Sequence, residues 1–134
     1  MKPKVAVVFD MMKKKGWRIT LQRAIIVETI LANIEKHPSL RELHRMINEK
    51  LPGVGISTVY QTIKMLEDLG VITTFEVNGR LHVDKFHPHV NVVCVNRDEI
   101  RDLEGVDQSE VLKALNLNEN KLKNVKNILV YAEC

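Results

Sequence analysis

Apolar residues recur at helical spacing through the first half of the chain, and the pattern turns to strand-like alternation at Val71. Val5–Lys14 fits either a helix or a strand, because its Val-rich start suits both. Thr20 stands as an N-cap before a stretch with Ile25, Ile26, Ile30, Leu31 and Ile34 on one side, and His37-Pro38 ends it. Ser39 and Glu42 have the spacing of a capping box. Leu40, Leu43, Ile47 and Leu51 then give a helix its buried stripe, closed by Pro52-Gly53. Ser57 is expected to cap a fourth helix, with Val59, Ile63, Leu66 and Leu69 inward and Gly70 at its end.

Val71–Val77 and Arg80–Asp84 flank Asn78-Gly79, a dipeptide that accepts the positive φ angles of a two-residue type I′ turn, so a hairpin is predicted. Helices followed by a hairpin are the order of a winged helix-turn-helix. Beyond Pro88 the pattern predicts a strand over Val90–Asn96, a short strand over Ile100–Leu103 and a helix over Ser109–Leu115. A polar loop over Asn116–Asn124 and a strand over Asn127–Ala132 complete it. The expected class is α+β, with domains over 1–84 and 85–134. The second is too small to fold well alone and is expected to pair with its copy.

Composition adds that the core must come from Val, Ile, Leu and Met, since the chain is 45% hydrophobic but only 4% aromatic. The net charge of +3 says little, but its distribution says more. Lys13, Lys14, Lys15, Arg18 and Arg23 crowd the front, whereas Asp98, Glu99, Asp102, Glu104 and Asp107 crowd a later stretch. That asymmetry fits a phosphate-facing module joined to something else. No apolar run approaches the roughly 20 residues of a membrane-crossing helix. Two cysteines are too few for a secreted disulfide scaffold, and Met1–Asp10 has no small-residue cleavage site, so a cytoplasmic protein is expected.

On the fourth helix, removing the inward positions leaves Thr58, Tyr60, Gln61, Lys64 and Asp68 outward. A helix fits the major groove of a duplex, where Tyr, Gln and Thr can present hydroxyl or amide groups to base edges. Lys64 is better suited to phosphate. Arg80 at the hairpin tip strengthens the reading of a double-stranded DNA partner over that of a solvated amphipathic helix.

Two segments carry a family resemblance. Arg18-Ile19-Thr20-Leu21-Gln22-Arg23 resembles the R-x-T-x-Q-R motif near the start of ferric uptake regulator proteins. Ile56-Ser57-Thr58-Val59-Tyr60-Gln61-Thr62-Ile63, running on to Leu69-Gly70-Val71-Ile72, is similar to that family's recognition helix and exit. His37-Pro38-Ser39 and Tyr131-Ala132-Glu133-Cys134 also match, so the resemblance spans about Lys13 to Cys134. It implies an N-terminal winged helix, a small C-terminal α/β dimerisation domain, a homodimer and repression through a palindromic operator. It further implies that Tyr60 touches bases and that Lys13–Lys15, Lys15 among them, form a basic arm beside the DNA backbone. Gln61 stands where the family commonly has Arg, which bears on operator preference.

The same resemblance implies a divalent metal held between the two domains by imidazole and carboxylate groups, a donor set suited to Zn, Fe, Mn or Ni. His37 matches the N-terminal ligand and His82 falls where the family has a carboxylate. His89 matches the first His of an H-x-H pair whose second position is Asn91, and Asp102 falls at a further ligand position. Asn91 or His87 could complete the set. A second family metal site is not expected, because Lys126 stands where a His is usual.

A structural zinc is not expected either. The family's two C-x-x-C pairs are reduced to Cys94 and Cys134, and a closed zinc site needs four ligands. The resemblance puts those two on neighbouring strands, where a disulfide is sterically conceivable, but two reduced, partly buried thiols are the expectation for a reducing compartment. Two other readings stay open: a regulator of this fold without metal control, either constitutive or responsive to peroxide or thiol oxidation, and a metal-dependent hydrolase. The second lacks any H-E-x-x-H or G-x-S-x-G motif, so an enzyme is not expected.

Overall fold

The computed structural model describes residues 4–86, 89–117, 122 and 125–134. It divides into two compact units, Met1–Phe86 and His87–Cys134. Val5–Lys14, readable either way in sequence, is helix α1, and Val8 and Met12, one turn apart, are its fully buried pair. Thr20 caps α2 (Leu21–Asn33), its hydroxyl accepting from the Arg23 amide at 3.1 Å. A 3₁₀ turn, Ile34–Lys36, runs on to His37, whose φ of 50° reverses the chain into Pro38. Helix α3 (Leu40–Lys50) opens on a complete capping box, Ser39 and Glu42 exchanging two bonds of 3.1 Å each.

Helix α4 spans Ile56–Asp68, and here the expected cap is corrected: Gly55, not Ser57, is the N-cap. The Gly55 carbonyl already accepts from Thr58 and Val59 at 3.2 and 3.3 Å, so the first turn closes with Ser57 inside it. Val59, Ile63 and Leu66 enter the core with Ile26, Ile30, Leu43 and Ile47. Strands β1 (Ile72–Val77) and β2 (Arg80–Lys85) pair antiparallel from Val77↔Arg80 to Ile72↔Lys85. Asn78 and Gly79, at φ 52° and 75°, make the type I′ turn between them. Ile72 and Val83 bury their side chains in the same core, which fixes the hairpin on the helices.

The second unit is a three-stranded sheet in the order β4-β3-β5, with β3 (Val90–Cys94), β4 (Glu99–Asp102) and β5 (Ile128–Ala132). β3 and β4 are antiparallel, whereas β3 and β5 are parallel, a pairing that requires a crossover. Helix α5 (Gln108–Ala114), capped by Asp107, lies within that connection. Part of the loop expected over Asn116–Asn124 lies outside the described residues.

The expectation of two reduced thiols is corrected by a Cys94–Cys134 disulfide, with 5.4 Å between the Cα atoms. The cause is the parallel register. Cys94 stands opposite Ala132, the Val95 amide carries the pairing one step further onto the Ala132 carbonyl at 2.8 Å, and the Asn96 side chain clasps the Cys134 backbone at 2.9 and 3.2 Å. That spacing is the ordinary one for a bridged pair. No helix among the described residues is long and apolar enough to cross a membrane.

Candidate nucleic-acid interface and metal-ligating pairs

The outward face of α4 is built by the burial of its inward one. With Val59, Thr62, Ile63 and Leu66 in the core, Tyr60 is left 44% exposed and Gln61 exposed beside it. Thr58 is half-buried. A concavity of about 400 Å³ next to this face is lined by Arg18, Thr20, Gln22 and Arg23 from the entry to α2, and by Thr58, Gln61, Thr62 and Met65 from α4. The Arg23 guanidinium donates to the Arg18 carbonyl at 2.7 Å, which folds the R-x-T-x-Q-R segment against itself and sets two cations at the mouth. Lys15 at the C-terminus of α1 and Arg80 at the hairpin turn are both exposed.

Lys64 is placed differently from a plain phosphate contact. Its ammonium lies 2.6 Å from Glu67 Oε1, and that hydrogen bond, outweighing partial burial, holds the lysine above its ordinary pKa. Glu67 Oε2 accepts in turn from the Thr74 hydroxyl on β1 at 2.6 Å. Lys64 therefore serves first in a link between α4 and the hairpin.

In the first unit His37 and Asp84 are paired at 3.6 Å (Nε2 to Oδ1), with side chains 3% and 1% exposed. In the second unit His89 and Asp102 are paired at 3.4 Å (Nε2 to Oδ1) and are only partly buried. Asn91, 2% exposed, stands opposite Asp102 in the β3–β4 register. These separations decide what each pair suits. A charged hydrogen bond is about 2.7–2.9 Å long. Two donors held at roughly 2.0–2.2 Å from one tetrahedral ion lie about 3.3–3.6 Å apart. Both pairs have the second spacing, and imidazole nitrogen with carboxylate oxygen is a fitting set for a divalent transition metal.

Of the residues singled out from sequence, the structure pairs His37 with a carboxylate that was not among them. Asp84 was missed, yet a signal existed: it lies two residues beyond His82 on one strand, and alternate residues share a face. His82 is turned to another task. Its Nδ1 donates to the His37 carbonyl at 2.7 Å, and its ring stacks on Phe75 with centroids 5.7 Å apart. His87 lies outside the described residues. Cys94 and Cys134 are the disulfide already described.

Residues 14–131 match the model of the Ferric uptake regulator family. A ferric uptake regulation protein homolog from Archaeoglobus fulgidus is 34% identical over 124 residues, 91% of each chain. The chain belongs to the ferric uptake regulator family. It is a DNA-binding regulator of transcription, not an enzyme. Among solved structures, the Helicobacter pylori ferric uptake regulator shares the fold at a TM-score of 0.77 and 18% identity, covering 99% of this chain and 93% of that one. A zinc-bound manganese uptake regulator matches at 0.68 and 25% identity, covering 95% and 98%. The first unit has the helices and wing of this family's fold, and the second its small α/β sheet.

Proposed function

We propose that this regulator acts in the cytoplasm as a homodimeric repressor, that it reads a double-stranded operator with α4, and that its grip on the operator responds to a divalent cation. The His37–Asp84 pair carries the metal reading: an imidazole and a carboxylate, both almost wholly buried, stand at a separation that two ligands of one ion can have. Each pair supplies two donors, and a closed site takes four. We therefore read each pair, His37 with Asp84 and His89 with Asp102, as part of a four-donor N₂O₂ set, with Asn91 as a further oxygen donor beside the second pair. By the family resemblance, bound metal would fix the spacing of two recognition helices, one per half-site. Zn, Mn and Fe all accept this set.

The DNA reading is supported by Tyr60 and Gln61 exposed on α4 and by the arginine-lined concavity beside them. Exposed Val130 and Tyr131 on the edge strand β5 suit burial against a second copy. Elemental analysis of protein purified without added metal, followed by Zn²⁺ and Mn²⁺ titration of the stripped protein, tests the metal claim. One ion per chain, lost in Asp84→Asn and His37→Ala, is expected. Wild type that takes up neither ion ends it.

One observation favours a second reading. The Cys94–Cys134 disulfide makes a thiol-responsive regulator of the same fold credible, and operator affinity that follows reductant while ignoring metal is its mark.

A further inference from the structure

The connection between α2 and α3 carries His37 in a conformation that a side chain with a Cβ rarely adopts, at φ 50° and directly before Pro38. A ligand mounted on such a backbone needs its neighbours to hold it there. Its own amide closes the 3₁₀ turn, donating to the Ile34 carbonyl at 3.2 Å. Further restraint comes from β2. The Val83 amide donates to the Pro38 carbonyl at 2.9 Å, and Ser39 and His82 form an isolated bridge between the two segments. The His82 imidazole donates from Nδ1 to the His37 carbonyl at 2.7 Å. To donate there, Nδ1 must carry the proton.

The imidazole is itself fixed. It lies nearly parallel to the Phe75 ring, with an interplanar angle of 12°, and Phe75 also lies 6.4 Å from the His37 ring. Asp84 follows two residues later on the same strand. One strand of the wing thus carries the carboxylate of the pair and grips the backbone of its histidine.

We infer that His82 is a positioning residue: it is no ligand, but it holds His37 in the orientation in which the imidazole can share an ion with Asp84, and so ties the wing to the metal site. The inference rests on the metal reading above. It also accounts for a histidine standing where the family resemblance leads one to expect a carboxylate, since the carboxylate has moved to Asp84.

Two variants of the full chain separate the possibilities. His82→Phe keeps a flat ring for Phe75 and removes the N–H. His82→Asn places an amide nitrogen where Nδ1 stands and restores the donor. Zn²⁺ titration of metal-stripped protein should show His82→Phe about 10–100-fold weaker than wild type, the usual effect of losing a partner that orients a ligand. His82→Asn should bind within a few-fold of wild type, and X-ray absorption should count the same number of imidazole nitrogens on zinc in both. If both variants bind like wild type, His82 does not position the site. Equal, severe losses in both, with one imidazole fewer on zinc, make His82 a ligand and overturn the inference. Should wild type bind no zinc, the metal reading fails by itself, and the ¹⁵N resonances of the His37 ring in metal-free protein still decide. They are expected to shift in His82→Phe and to return in His82→Asn, and identical spectra refute the positioning role.

Discussion

Thr74 on β1 donates its hydroxyl to Glu67 on α4 at 2.6 Å, so the hairpin and the helix before it share one carboxylate. The other oxygen of Glu67 holds the Lys64 ammonium. A lysine in that position adds little net charge toward phosphate, because its partner cancels it. Glu67→Gln should leave Lys64 available to DNA while keeping an acceptor for Thr74. The expected outcome is tighter binding to random duplex and a log–log salt dependence steeper by about one, read by fluorescence anisotropy across a salt series. An unchanged slope would mean that Lys64 faces solvent rather than the backbone.

Tyr60 is exposed while its neighbours Val59 and Ile63 are fully buried, so its ring is available without repacking the core. Tyr60→Ala should cost on the order of 1–3 kcal/mol on a duplex selected from a random pool, and far less on unselected sequence. Equal losses on both duplexes would demote Tyr60 to a backbone contact.

The Cys94–Cys134 bond closes a loop across 40 positions, and the chain entropy removed from the unfolded state by such a loop corresponds to about 3–4 kcal/mol. Cys134→Ser should lower the denaturant midpoint of the oxidised protein to that of the reduced wild type, with no further response to reductant. A midpoint equal to that of oxidised wild type would show that apolar packing of β3 on β5 suffices alone.

Glu42 completes the cap of α3. Desolvation by burial raises its pKa, but the bonds from the Ser39 amide and hydroxyl, with His82 and Arg45 nearby, outweigh that and hold it below the ordinary carboxylate value. A depressed folded-state pKa means that the stabilisation is present above the unfolded-state value and is lost as pH falls through the folded one. Glu42→Gln should therefore flatten the loss of stability on the acid side of the ordinary Glu range. Ser39→Ala should remove about 1 kcal/mol at neutral pH. Urea titrations at several pH values check both, and a Glu42→Gln profile parallel to wild type would remove Glu42 from the acid response.

The helices of the first unit were legible in their stripes. Thr20, Ser39 and the Asn78-Gly79 turn stand where the pattern put them, because a cap or a type I′ turn depends on a few adjacent residues. Val5–Lys14 stayed ambiguous since valine suits both helix and strand, and burial of Val8 and Met12 one turn apart settled it. Gly55 displaced Ser57 as a cap because a backbone carbonyl closes a first turn as well as a hydroxyl does.

Local order along the chain was enough to specify every helix and strand after Val5–Lys14, which residues of α4 face outward, and which family the motifs resemble. All of these depend on near neighbours and on periodicity. Partners far apart in sequence were another matter: Asp84 beside His37, His82 on the His37 carbonyl and Cys94 joined to Cys134. Most of these depend on strand register and on the strained turn at His37. A shift of one residue in register turns a side chain to the opposite face, and no local pattern records which register the packed core selects.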